Sequence, residues 1–251
     1  MTDREIMQYI DDGANYYISL FGDAIHMEKV EKEFYTYIKP KAGEKGISFI
    51  YNVHMDGLPT EQIKMLIEEM KSMHMPIWLS LLVSNEVAFL FSGKEPTHVQ
   101  TEHDENDEIY MAMLPEEQKE YRGNNHKIIR VNSAGEFALW AQTVNNIFSD
   151  GYPDIHPVNH FIWCEKRGVK CYILYHDNIP VSVAAIMNHN GVASLEFVGT
   201  IPEMRKRGLA KAVCEKAVYD AFSDGASILT IRAVNTAVAR LYQSIGFKAY
   251  N

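Results

Sequence analysis

The stretch from residue 169 to 200 constrains the fold most. Two alternating apolar runs, 181–187 and 192–200, flank Asn190-Gly191, a dipeptide suited to the positive φ angles of a tight hairpin turn. A third run, 169–176, precedes them across Asp177-Asn178, which predicts an antiparallel meander. Beyond Pro202 the apolar period lengthens from 2 to about 3.6 residues. Leu209, Val213, Ala217 and Ala221 then share one helical face, with the pairs Lys211/Glu215 and Lys216/Asp220 on the other, each spaced for i,i+4 attraction. Asp224-Gly225 stops this helix, 228–234 reads as a strand, and 235–245 as a helix closed by Gly246. Upstream, 127–131 reads as a strand. Ser133 and Glu136 then form a capping box for a helix carrying Phe137, Trp140, Val144, Ile147 and Phe148, ended by Gly151 and Pro153. The order β-α-β-β-β-α-β-α implies an α/β fold of the α+β type. Its mixed sheet has a cofactor-sized opening where a central strand hands over to its helix.

The first half has an α+β pattern of its own. Thr2 and Glu5 form a capping box before a helix over 3–20. Extended stretches are expected at 47–55 and 77–83, with a helix over 60–73 presenting Ile63, Leu66, Ile67 and Met70 on one face. Further strands are expected at 87–91 and 109–114. The polar stretch Tyr121-Arg122-Gly123-Asn124-Asn125 reads as a boundary, so two lobes are expected, 1–122 and 126–251. Gly43 and Gly46 neither follow a clear strand nor open a helix, and read as a turn.

Composition narrows the function. The net charge is −9 and no basic stripe is visible, which argues against nucleic acid as a partner. The acidic run 102–108 reads as a solvated loop. No apolar run approaches the ~20 residues that span a bilayer, and the acidic N-terminus has no secretory pattern, so no membrane partner and a cytoplasmic location are expected. Cys164, Cys171 and Cys214 make no C-x-x-C pair and read as free thiols. His156 and His160 lie four apart around Pro157 in a loop-like context, and His54, His74, His98 and His103 lack ligand spacing. No metal is expected.

The informative segment is 195–210. A strand ends in Gly199, which permits a bulge or a close backbone approach. A short loop then delivers Arg205, Lys206, Arg207 and Gly208 to the first turn of a helix. Free N–H groups and the helix dipole favour a phosphate there. Basic side chains run against the dipole unless an anion compensates them, so the pattern points to an anion site.

This stretch resembles the acetyl-CoA signature of the GNAT N-acyltransferases. That signature is Arg or Gln, two residues, Gly, one residue, then Gly or Ala, met here by Arg205-Lys206-Arg207-Gly208-Leu209-Ala210. Thr200-Ile201-Pro202-Glu203 stands directly before it. A second match, Asn235-Thr236-Ala237 with Leu241-Tyr242 and Gly246-Phe247, follows at the family's distance. The resemblance covers residues 127–251. Residues 1–122 resemble the degenerate partner half of two-lobed members, most clearly over 51–82.

The resemblance implies a GNAT-type fold that takes acetyl-CoA as cosubstrate. Val198, Gly199 and Thr200 would pair with the pantetheine arm, and 205–210 would cradle the pyrophosphate. Asn235 would hold the cofactor from the other side, and Tyr242 would lie near the thioester sulfur. A backbone N–H near Val198 is the expected oxyanion donor. Tyr242 is either the acid that protonates the leaving thiolate or a core tyrosine on an amphipathic helix. Glu196, the carboxylate nearest the reaction line, is either the amine's proton acceptor or a solvated strand residue. Simple alternation would put Glu196 and Val198 on one face and Phe197 on the other. The family usually adds a strand after the Gly-Phe motif, whereas four residues follow Phe247 here; the N-terminal lobe or a second subunit is expected to cover that edge. The expected activity is transfer of an acetyl group to an amine of a small molecule or peptide, by a monomer or homodimer. The alternative is a regulatory protein that binds acetyl-CoA without turnover.

Overall fold

The computed structural model describes residues 1–93, 108–121, 123, 125–148 and 155–250. Residues 102–107 of the acidic run, His98, His103, Arg122, Asn124 and the helix stop at Gly151 and Pro153 lie outside these residues. The chain forms two compact units, one of Met1–Tyr17 with Glu105–Asn251, the other of Ile18–Asp104.

The first unit is built on a seven-stranded sheet. In chain order its strands are β4 (Ile109–Met113), β5 (Lys127–Arg130), β6 (Lys170–His176), β7 (Ile179–His189), β8 (Val192–Thr200), β9 (Ile228–Ala233) and β10 (Lys248–Tyr250), numbered after the three strands of the second unit. They lie in the order β10-β4-β9-β8-β7-β6-β5. Every neighbouring pair is antiparallel except β8 and β9. The turns are those the sequence names: Asp177, Asn178, Asn190 and Gly191 all take positive φ.

Helices cover both faces. On one, α5 (Leu209–Ser223) and α6 (Thr236–Ile245) bury Leu209, Val213, Ala217, Tyr242 and Ile245 against Leu174, Ile186, Leu195 and Ile231. On the other lie α4 (Ala134–Ile147) and residues 3–17 of α1 (Asp3–Gly22). A Cβ on Gly13 would stand 2.8 Å from Thr230 Oγ1, so α1 approaches the sheet as closely as a glycine allows. Buried on both faces, β7 has nothing exposed from Val181 to Met187.

Local signals set the helix ends. Thr2 Oγ1 accepts from Glu5 N at 3.3 Å, while the Glu5 carboxylate accepts from Thr2 N at 2.7 Å. Ser133 Oγ accepts from Glu136 N at 3.2 Å, and Glu136 returns to Asn132 N at 2.7 Å, one residue beyond a reciprocal box. The two i,i+4 pairs of α5 close at 3.8 and 2.6 Å.

The second unit holds a three-stranded antiparallel sheet, β1 (Met27–Glu31), β2 (Thr36–Pro40) and β3 (Phe49–Tyr51), with α2 (Thr60–Ser72) and α3 (Asn85–Ser92). Ile50, Val53, Met55, Ile63, Ile67, Met70 and Val87 form its core. Two expected strands are corrected here. Residues 87–91 are helical: Ser84 Oγ caps Val87 N at 3.4 Å, Gly93 ends the helix at φ 68°, and the apolar run alone could not decide between the two forms. Of 77–83, only Ile77 bridges to Ile50, because β3 offers a short ladder and Asn52 leaves it at φ 55°.

The expected gap at the edge of the sheet is filled from within the chain. β4 lies before the boundary expected at 122–126, yet pairs with β9, and β10 pairs with the far side of β4.

Candidate active site

β8 and β9 pair in parallel over Val192–Ser194 and Ile228–Thr230 alone. β8 continues to Thr200 and β9 to Ala233 without further ladder pairs between them. The sheet therefore opens between its two parallel strands, at their C-terminal ends.

A bulge shapes the opening. Glu196 pairs with Ala185 and Gly199 with Val183, so Phe197 and Val198 together stand opposite Ala184. Phe197 takes φ 53°, rare for a bulky residue. Its ring lies 6.0 Å from Trp163, 5.4 Å from Trp140 and 5.6 Å from Tyr17. The Trp140 indole donates to Ala184 O at 3.1 Å, at the register break. Simple alternation fails as a result. Glu196 and Phe197 both meet the side of α1 and α4, while Val198 packs with the α5 core. Gly199 is in register rather than bulged. Its missing Cβ would meet Ile147 at 2.6 Å and Phe148 at 3.1 Å, so its role is to admit the end of α4.

Glu196 is enclosed. Ser194 Oγ donates to its Oε1, and Arg232 Nη2 stands 3.6 Å from its Oε2, with the side chains of Glu196 and Arg232 only 12% and 16% exposed. Burial raises its pKa above the ordinary carboxylate range, against the opposing pull of Arg232 and Ser194. Tyr242 is buried on α6, and its hydroxyl has no hydrogen-bond partner among the described residues. Burial, then the neighbouring Cys214 and Glu196, push its pKa well up, so the phenol keeps its proton.

The loop after β8 reaches α5 through a 3-10 turn at Pro202–Met204. Thr200 is spent on structure: its Oγ1 meets Ser182 Oγ at 2.9 Å and its carbonyl accepts Arg205 Nε at 3.1 Å. Arg205, Lys206, Arg207 and Gly208 are exposed, with Lys206 at φ 61° and Gly208 at φ 77°. Gly208 is the N-cap of α5 and supplies no side-chain cap. The N–H groups of Leu209, Ala210 and Lys211 have no acceptor among the described residues, the first bond being Ala212 N to Gly208 O. The Leu209 side chain is core, so only its backbone faces this site. Asn235 caps α6, its Oδ1 accepting from Val238 N at 3.0 Å.

Three residues around this site, Ser194, Arg232 and Tyr17, lie outside the sequence motifs. Arg232 left a legible signal: a guanidinium inside the apolar strand 228–233 needs a buried partner. Tyr17 left none, because it comes from a helix far away in the chain. Among the described residues no group of His, Cys, Asp and Glu is arranged to hold a metal ion, and no helix is long and apolar enough to cross a membrane.

Comparison with known proteins gives this geometry a family. Residues 137–247 match the model of the acetyltransferase (GNAT) family. No curated protein matches the chain in sequence. The fold is similar to a GCN5-related N-acetyltransferase from Kribbella flavida, with TM-score 0.60 and 15% identity over 95% of this chain and 91% of that one. Lower likenesses include an acetyltransferase from Trypanosoma brucei, with TM-score 0.43 and 17% identity over 51% of this chain and 95% of that one. Another is AAC(6')-Iy bound to a bisubstrate analogue of coenzyme A, with TM-score 0.42 and 20% identity over 51% of this chain and 94% of that one. The span matched by the family model runs from α4 through the open β8–β9 pair to the Gly-Phe turn after α6, so these residues form an acetyl-CoA-dependent acetyltransferase domain of the GNAT family.

Proposed function

We propose that this domain moves the acetyl group of acetyl-CoA directly to an amine of a small molecule or a peptide, with Glu196 as proton acceptor and Tyr242 as proton donor. The observation that carries the reading is the pairing of an uncapped helix N-terminus with an open strand pair. Leu209, Ala210 and Lys211 offer N–H groups behind three exposed basic residues, which suits a pyrophosphate. The edge of β8 at Val198, Gly199 and Thr200 leads from that turn to Glu196, which suits an extended pantetheine arm lying where β9 no longer pairs. Asn235, whose Oδ1 caps α6, would meet the cofactor through its amide N–H groups or backbone.

In the reaction the neutral amine attacks the thioester carbonyl carbon. The C–N bond forms, the C–S bond breaks, and a backbone N–H beside the bulge stabilises the oxyanion. The amine's proton passes to Glu196, directly or through water, and the Tyr242 phenol protonates the departing thiolate. Solvent restores both groups. Reading the N-terminal half as a degenerate partner lobe belongs to the same proposal; within it residues 18–104 form a unit with its own three-stranded sheet, whereas residues 1–17 and β4 belong to the unit of the seven-stranded sheet.

Isothermal titration with acetyl-CoA on the wild type and on Gly208→Asp tests the binding site. Nothing lies within 4 Å of a Cβ at Gly208, and aspartate tolerates positive φ better than most residues. A folded variant, checked by thermal melting, is expected to lose binding because its carboxylate repels the pyrophosphate. Unchanged affinity would remove the cofactor from this turn. Binding without thiol release across an amine panel would favour a regulatory acetyl-CoA sensor.

A further inference from the structure

We infer that Arg232 is a positioning residue for acetyl transfer: with Ser194 and Tyr17 it holds the Glu196 carboxylate in one orientation beside the open β8–β9 pair. The inference rests on reading Glu196 as the proton acceptor.

Arg232 lies on β9, whose other edge is fully paired to β4, and its side chain is 16% exposed. A guanidinium so placed is retained only where it has a specific partner. Here it has two neighbours at right angles in function: its Nη2 is 3.6 Å from Glu196 Oε2, and its Cζ lies 5.3 Å from the centre of the Tyr17 ring. The ring fixes the guanidinium by cation–π attraction. The other carboxylate oxygen, Oε1, takes the Ser194 hydroxyl. Both oxygens are thus held from different sides, so the carboxylate cannot rotate freely, while each keeps a lone pair for an incoming proton.

Charge agrees with geometry. The charged and titratable groups that act on Glu196 are Arg232 on β9, Glu108 just before β4 and Tyr242 on α6, beside the Ser194 hydroxyl on its own strand, while Tyr17 on α1 meets Arg232 and Phe197. Among these Arg232 is the positive one. Burial and Glu108 drive Glu196 toward its neutral form, in which it could not accept a proton, and Arg232 opposes them.

The test uses the full chain carrying 13C-carboxyl-labelled glutamate, with the Glu196 signal assigned by Glu196→Gln. In Arg232→Met the Glu196 titration is expected to rise by roughly 1 pH unit, with Arg232→Lys restoring part of the change. Thiol release from acetyl-CoA, with water or butylamine as acceptor, should move in parallel. Its acid limb climbs by the same interval, giving about tenfold slower release on the acid side and a preserved plateau. A merely structural role would lower the plateau and leave the limb in place, and that result overturns the inference, as does an unmoved carboxyl titration in folded Arg232→Met. A different result marks failure of the underlying reading: the carboxyl titration moves, but Glu196→Gln keeps both its rate and its acid limb. The ion pair would then stand, and its role in the reaction would not.

Discussion

Glu196 and Tyr242 are pushed the same way on the pKa scale, and burial is the first cause in both. The same displacement helps one task and opposes the other. For a carboxylate it means greater basicity, closer to what an ammonium substrate requires; for a phenol it means a weaker acid that keeps its proton at neutral pH, so transfer to the thiolate runs uphill and needs the hydroxyl placed against the sulfur. Tyr242→Phe is therefore expected to lower kcat by roughly 10²-fold or more, leaving acetyl-CoA affinity unchanged by titration calorimetry. Glu196→Gln should lower kcat/KM by a similar factor and abolish the acid limb of the pH–rate profile. In the wild type that limb should lie above the ~4.3 of a free glutamate, since the folded carboxyl titrates high and must be ionised to work. Tyr242 stands out in the sequence by its place in the second motif, and Glu196 only as the carboxylate nearest the reaction line. Their surroundings do not, because Arg232 reaches Glu196 through strand pairing and Tyr17 reaches Arg232 from a distant helix.

At the scale of elements, the β8 bulge decides what each residue of the strand can do. Sequence alternation assigns Glu196 and Val198 to one face, yet the extra residue at Phe197–Val198 parts them. Gly199 points to a bulge near the end of the strand, but nothing local places it at Phe197–Val198, since Phe197 is an ordinary strand former, and the positive φ is held by rings from α1, α4 and the π-helical segment Phe161–Lys166. Trp140 links this packing to the backbone through its bond to Ala184 O. Trp140→Phe keeps most of the ring contact and removes that donor, leaving a buried carbonyl short of a partner. A stability loss of about 1–3 kcal/mol is expected in denaturant melts. A fall in kcat larger than the fall in acetyl-CoA affinity would show the bulge relaxing around Glu196. The elements that were legible, including the hairpin at Asn190-Gly191 and the capped helices α1, α4 and α6, are those specified by neighbours in sequence. The 87–91 helix was not, because a short apolar run fits either form until Ser84 and Gly93 are seen to cap it.

Across the whole sheet, the edge opposite β10 is tied to the helical layer by charge. Asp224, the C-cap of α5, receives Lys170 of β6 at 2.5 Å and Arg130 of β5 at 3.0 Å. The three come from positions up to 94 residues apart, so no reading of the sequence could have joined them; the topology does it by laying β5 and β6 at the end of the sheet near where α5 stops. The Lys170 hydrogen bond, then its charge and that of Arg130, hold the Asp224 carboxyl below its ordinary value. A carboxyl depressed in the folded state stabilises the fold above its unfolded pKa of ~3.9 and loses that contribution as pH falls through the lower folded value. Asp224→Asn should therefore lower the melting temperature at pH 7. The two proteins should converge below about pH 3, where the wild-type carboxyl is also neutral. Salt tests the same clasp from another side: Asp224 is about one-third exposed at 35%, so 1 M NaCl should narrow the pH 7 difference by screening it. A difference that persists undiminished at low pH would mean that Asp224 contributes as a helix cap and not through its charge.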